Sequence, residues 1–414
     1  MDQTRLDNIE LLYRDLHAHP EMAYQEVRTA AVVAERIEAA GFEVTTGVGR
    51  TGVVGVLSNG PGPVVVVRAD MDALPVKEET GLPYASQESA RGEDGIEIPL
   101  MHACGHDVHM ACLVGAAEEL SRDRSSWSGT LVALFQPAEE GAGGARAMID
   151  DGLFDLVGCP DVIFGQHVFP YEAGTVGHRS GPILAASDAF DIRVHGRGGH
   201  GSQPQAVVDP VVLAASIVTR LQTIVSREVS PADRVVLTVG QFHAGVAGNI
   251  VPDFADMTVS ARTFDESVAA RVTGSLRRIV EAECTASGSP KPPEFRELFG
   301  FKPTVNDPVA TDRVVAAHRS VFGSSAVREI EPIMGSEDFP EFGRESGAPY
   351  VFWALGGVDP LEYRRASDAG TIDQLPTNHS PQFAPTPRLT LATGVDALTS
   401  AARAWLTPPG GDDW

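Results

Sequence analysis

Three short apolar runs constrain the fold more than any other feature of this chain. In "PVVVVRADMDALP" the four valines at 64–67 suit a strand buried on both faces, and Asp70 and Asp72 fall where that strand would end. In "GTLVALFQPAEEG" Pro137 stops the run and Glu139 and Glu140 follow it; in "PDVIFGQHVFP" His167 closes the apolar part. Between them "CGHDVHMACLVGAAEEL" opens on glycine and becomes an apolar helix. Strands that alternate with helices form a mostly parallel sheet, and ligands of such sheets sit outside the carboxyl ends of the strands. The acids and imidazoles at these three strand ends are therefore expected to share one crevice.

The remainder of the chain divides around this pattern. At 414 residues it is too long for one core, and two or three domains are expected. Residues 5–40 read as helical, broken at His19-Pro20 and closed by Gly41. From Ala186 the periodicity changes to "DAFDIRVHG", a helix over 210–227, "RVVLTVGQF", "DMTVSARTF", a helix over 267–286 and "PEFRELF". That β-α-β-β-α-β order is the split motif of a ferredoxin-like α+β layer with one wet sheet face. α/β character then returns, with a helix near 309–322, the strand "PYVFWALGG" and a closing helix over 389–405. The expected architecture is an α/β domain made of residues 1–185 and 300–414, interrupted by an inserted domain over 186–299. The polar tail "TPPGGDDW" is expected to be disordered.

Composition excludes several classes. A hydrophobic content of 43% with 21% charged residues is that of a globular protein, and no apolar run approaches the roughly 18 residues of a membrane span. The acidic, amphipathic start lacks the features of a signal peptide, so a cytoplasmic location is expected. A net charge of −24 disfavours nucleic acid or an anionic membrane as partner, and an anionic substrate would need a local cation. Four scattered cysteines, Cys104, Cys112, Cys159 and Cys284, do not make a disulfide framework.

The densest chemistry lies in "MHACGHDVHM". Cys104 and His106 would point about 200° apart on a helix, so they can meet one ion only from a loop, which Gly105 permits. His102 and His109 read as supporting or surface groups. A polar helix entry and a Cys104/His106 nucleophilic pair are the competing readings, but both leave Glu139, Glu140, His167 and the later His379 of "PTNHSPQF" without a role. Thiolate, imidazoles and carboxylate together suit Zn²⁺ or another first-row divalent ion, and five donors exceed what one tetrahedral zinc with an open position needs. A two-metal site accounts for them better. Adjacent Glu139 and Glu140 are expected to point different ways, one to metal and one to the attacking water.

"LHAHPEMAYQE", "RADMDALPV", "MHACGHDVHM", "FQPAEEGAGGARAMIDDG", "GQHVFP", "GRGGHGSQP", "GNIVPD", "MGSEDF" and "NHSPQF" resemble, in order, the motifs of the metal-dependent amidohydrolases that include hippurate hydrolase, N-acyl-amino-acid amidohydrolases and plant auxin-conjugate hydrolases. The resemblance implies a catalytic domain interrupted by a lid, and two divalent ions (Zn²⁺ or Mn²⁺, with Co²⁺ or Ni²⁺ also accepted) on Cys104, His106, Glu140, His167 and His379. It further implies Glu139 as general base, Asp70 and Asp72 as supporting carboxylates, His200 as oxyanion donor, and Asn249 and Arg262 as ligands of a substrate carboxylate. The implied substrate is a small N-acyl amino acid, and the implied assembly a homodimer through the lid. Dipeptide or glutamate-releasing cleavage by the same site, and a non-catalytic ligand-binding relative, are the alternatives. One departure from the family pattern is Gln205, where a second histidine is common.

Overall fold

The computed structural model describes residues 2–91, 95–141 and 143–406; the tail 407–414 lies outside the described residues. The chain begins with helices α1 (Gln3–Ala18) and α2 (Val27–Ala39), separated at His19-Pro20. Asp2 caps α1 by accepting the Arg5 amide, and Gly41 leaves α2 at φ 89°. Strands β1 (Glu43–Val48), β2 (Gly52–Asn59) and β3 (Val64–Asp70) follow, then helix α3 (His106–Arg122) and strands β4 (Gly129–Gln136), β5 (Val162–Glu172) and β6 (Val176–His178). The middle of the chain supplies β7 (Ala186–His195), α4 (Pro210–Thr223), β8 (Val235–Ala244), β9 (Phe254–Thr263), α5 (Glu266–Ala286) and β10 (Glu294–Phe301). The last part adds α6 (Pro308–Phe322), β11 (Val327–Glu329), β12 (Tyr350–Val358) and α7 (Pro387–Trp405).

These elements form two compact units. The first comprises Met1–Ile183, Val305–Glu331 and Asp338–Trp414, the second Leu184–Thr304 and Pro332–Glu337. In the first unit an eight-stranded sheet runs β1-β2-β4-β3-β5-β12-β6-β11. Its four central strands are parallel, with Val64 opposite Thr130 and Val65 opposite Val162. These are the runs of Val, Ile, Leu and Phe read as buried strands, and nearly all their side chains are buried. A layer of α1, α3, α6 and α7 shares one core with the sheet, around Tyr13, Val67, Leu113, Phe164 and Trp353. The hairpin of β1 and β2 joins antiparallel at one edge, an arrangement the apolar pattern did not announce.

The second unit is a four-stranded antiparallel sheet of order β8-β9-β7-β10, with α4 and α5 on one face. Strand β9 shows why: Ala255, Met257, Val259, Ala261 and Thr263 are buried and the residues between them are not. That period of two places one face against the helices and one in water. The helix expected over 210–227 is α-helical to Thr223 and finishes as a π turn over Ile224–Glu228.

Candidate metal centre

The carboxyl ends of β3 and β4, the middle of β5, where His167 lies inside the strand and not at its end as expected, the entry to α3 and the turn before α7 bring their polar side chains together. Gly105 has φ 85°, a conformation glycine adopts without cost, and a Cβ there would lie 2.3 Å from Val168 Cγ1. The loop before α3 can therefore pass directly beneath β5, with Cys104 on one side of the glycine and His106 at the first helical position. Cys104 Sγ lies 3.4 Å from His167 Nε2. His167 donates its Nδ1–H to the carbonyl of its neighbour Val168 at 2.9 Å, which leaves Nε2 as the ring's acceptor facing the cluster. The carbonyls of Cys104 and Val168 both accept from the Asn378 amide, at 3.2 and 3.0 Å, and the His379 amide donates to Ala103 at 2.8 Å. His379, itself at φ 70°, comes within 3.2 Å of Glu140 Oε1 through Nε2.

Glu139 and Glu140 both border His106, while Glu140 also lies with Cys104 and His379 and Glu139 with Glu337 and Asp338. His106 Nε2 is 4.0 Å from Glu139 Oε2 and 4.0 Å from Glu140 Oε1, so both carboxylates reach one imidazole. The cause is the backbone beneath them. Asp72 Oδ1 accepts the Glu139 amide at 3.0 Å and Asp72 Oδ2 the Glu140 amide at 3.1 Å, while Ala138 stands at φ 50°. The peptide wraps a single carboxylate beneath both side chains.

His102 and His109 are both buried, not at the surface. His109 Nε2 accepts the Val168 amide at 2.9 Å, which fixes the proton on Nδ1, and Nδ1 donates to Asp70 Oδ1 at 2.6 Å. Both nitrogens are thus engaged, so His109 orients its neighbours and has no lone pair for an ion. Asp70 also accepts from Arg68 Nη1 at 2.6 Å, and Arg68 Nε donates to Gln136.

This is an electrostatically unbalanced cluster. Burial disfavours the Asp70 carboxylate, yet Arg68, His106 and His109 hold it well below the usual range. Burial opposes charging of His106, but Asp70, Asp72 and Glu140 overcome it and push the ring up to about 10. Burial and the neighbouring Glu140, Glu139 and Asp70 together push the Cys104 thiol up, the opposite of what a nucleophilic thiolate requires. Among the described residues, both ring nitrogens of His106 and Oε1 of Glu140 are buried without a hydrogen-bond partner. Orphaned donors of this kind call for a ligand. Two overlapping sets, Cys104-His106-His167 and Cys104-Glu140-His379, each keep one ligand atom per residue within 4.8 Å of the others. Thiol, imidazole and carboxylate in that spacing fit a pair of divalent ions.

The remaining expected residues belong to the second unit. His200 is exposed, and its Nδ1 accepts from the Ser202 amide at 3.1 Å, so its Nε2 carries the proton. Asn249 is exposed and its carbonyl accepts the Gly201 amide at 2.9 Å. Arg262 is half-buried and donates through Nη1 to the Met334 carbonyl at 2.6 Å. Reading residues by type missed Asn378 and Ala138. Asn378 had a signal in standing directly before His379, whereas nothing in an alanine advertises a left-handed backbone.

Comparison with known proteins agrees with this geometry. Residues 66–369 match the model for peptidase family M20/M25/M40. The chain is 39% identical to thermostable carboxypeptidase 1 of Saccharolobus solfataricus over 84% of its own length and 85% of the relative's. It is 41% identical to an N-acyl-L-amino acid amidohydrolase of Geobacillus stearothermophilus over 71% and 76% of the two chains. A crystal structure of a dinuclear metal-binding M20 peptidase from Bacillus subtilis superposes with a TM-score of 0.78 at 29% identity, covering 98% of this chain and 99% of that one.

Proposed function

Because the chain belongs to peptidase family M20/M25/M40, we propose that it is a dinuclear metal-dependent hydrolase that cleaves the amide bond of N-acyl amino acids to a carboxylic acid and a free amino acid. The observation that carries this reading is the cluster of Cys104, His106, Glu140 and His167 with His379 at its edge, in which both His106 ring nitrogens and Glu140 Oε1 make no hydrogen bond among the described residues. We assign those five residues as the metal ligands. Zn²⁺ or Mn²⁺ is the expected occupant, and Co²⁺ and Ni²⁺ suit the same donors. Bound divalent ions supply Lewis-acid polarisation of the scissile carbonyl and acidify the attacking water.

The chain's own groups do the rest. Glu139, buried beside His106, takes a proton from the water and passes it to the departing nitrogen. His200, with its Nε2–H outward, donates to the developing oxyanion. Arg262 and Asn249 bind the α-carboxylate of the amino acid; a guanidinium has five N–H donors, more than Met334 and Ser336 occupy. We assign assembly as a homodimer through the second unit. A reducing, cytoplasmic setting is the one that keeps Cys104, a free thiol in this structure, available to metal. No helix among the described residues is long and apolar enough to cross a membrane.

Similarity to a carboxypeptidase supports a second reading, cleavage of a C-terminal peptide bond by the same groups. Both substrates present an amide beside a free α-carboxylate, so turnover of N-acetyl, N-benzoyl and N-blocked dipeptide substrates side by side separates them. Metal quantification on protein grown without added metal should give two ions per chain. Glu139→Gln should keep both ions and lose about 10²–10⁴ in kcat. Retention of most of the turnover by that variant would refute the assignment of the base.

A further inference from the structure

The stretch "LHAHPEMAYQE" contributes no donor to the cluster, yet His17 and Glu26 end against segments that do. His17 Nδ1 meets Asp107, the neighbour of His106, at 2.6 Å. Glu21 accepts the amides of Arg28 and Thr29, which fixes the start of α2. Glu26, fully buried, accepts the Ala138 amide at 2.9 Å through one oxygen and the Thr51 hydroxyl at 2.6 Å through the other.

We propose that Glu26 is a positioning residue: its carboxylate holds Ala138 in the left-handed conformation and so aims Glu139 and Glu140 into the cluster. The inference rests on the reading of those two glutamates given above. An alanine at φ 50° is strained, and such strain persists only where the surroundings over-determine it. Here the surroundings are identifiable. Three consecutive amides, those of Ala138, Glu139 and Glu140, go to two buried carboxylates, Glu26 taking the first and Asp72 the other two. The Ala138 carbonyl accepts the Gly144 amide at 3.0 Å, and a Cβ at 144 would lie 1.6 Å from the Pro137 carbonyl oxygen, so the chain returns tightly over the same turn. Asp72 fixes where the next two residues begin; Glu26 fixes the peptide that decides their direction. Loss of its acceptor orphans a buried N–H while the strain at Ala138 remains, and rotation of that peptide relieves both.

The test compares Glu26→Gln, Glu26→Ala and the double variant Glu26→Ala/Ala138→Gly. Glutamine keeps an oxygen for the Ala138 amide and turns its NH₂ to the Thr51 oxygen, so kcat should stay within about 1.5-fold of the parent. Alanine should lower kcat on the order of 10²-fold with KM within about twofold, the signature of misplaced catalytic groups rather than lost substrate contacts. Glycine at 138 accepts the left-handed conformation freely, so the double variant should recover roughly fivefold in kcat over Glu26→Ala. Zn²⁺ titration calorimetry should show about tenfold weaker binding in Glu26→Ala and parental binding in Glu26→Gln. If Glu26→Ala does not fold, Thr51→Ala at a half-buried position reads the same carboxylate, with kcat about threefold lower and KM unchanged. A parental rate in Glu26→Ala or in Thr51→Ala, equal loss in Glu26→Gln and Glu26→Ala, or no recovery in the double variant each overturns the proposal. Failure of the underlying reading looks different: Glu139→Gln would then remain active whatever Glu26 does.

Discussion

At the scale of single residues, the centre depends on side chains that never face a ligand. His109 spends one nitrogen on the Val168 amide and the other on Asp70, and so ties β5, which carries His167, to the carboxylate beside His106. Supporting groups of this kind are worth 10–100-fold in metal affinity. His109→Phe is therefore expected to weaken Zn²⁺ binding by about that factor without abolishing folding, as read by competition with a chelator; unchanged affinity would mean that Asp70 and Val168 hold their places unaided. His17 is a second such residue. Burial works against its charge, but Asp107 and Glu78 flank both nitrogens and raise it to about 10. Both histidines stand in segments dense in polar residues, where sequence gives the residue type but not the partner.

At the scale of elements, the loop before α3 passes under β5 only because residue 105 lacks a side chain. Gly105→Ala adds a left-handed penalty of about 1–2 kcal/mol and an overpacking cost of about 1–3 kcal/mol against Val168. Urea unfolding of the metal-free variant should show a loss of roughly 2–5 kcal/mol, and its Zn²⁺ affinity should fall as Cys104 and His106 move apart. A loss under 1 kcal/mol would show that the loop has room to shift. The turn at Gly105 was legible in advance, since Cys104 and His106 would point apart on a helix, whereas its passage under β5 was not. Also legible were β3, β4 and β5, whose apolar runs lack alternation because both faces are covered. The same logic located the inserted β-α-β-β-α-β order. The β1–β2 hairpin and the course of Ala138 were not legible, because an edge strand is half wet and a strained backbone is set by a carboxylate from a distant part of the chain.

At the scale of the whole molecule, acid stability should be governed by imidazoles buried in neutral form. His318 is fully buried between α6 and α7, donates to the Ala397 carbonyl, and packs edge-on against Trp353; burial lowers it to about 4. The unfolded chain takes up a proton near 6.5 and the folded chain does not until about 4, so stability present above 6.5 is lost as pH falls through that window. The loss amounts to about 3 kcal/mol for this one group. Chelated protein unfolded in urea at pH 7.5, 6 and 5 should show the decline, and His318→Phe should flatten it; a slope unaltered by that substitution would assign the effect to other groups.

The order of the proposed ligands along the chain has a consequence for biosynthesis. Cys104, His106, Glu140 and His167 precede the second unit and His379 follows it. A ribosome must therefore complete the entire insertion before the last imidazole emerges. A nascent chain carries the Cys104-His106-His167 set early, but it cannot close the set that needs His379 until the insertion has been made. On the ligand assignment proposed above, capture of metal by the full set thus waits until the second unit has been synthesised.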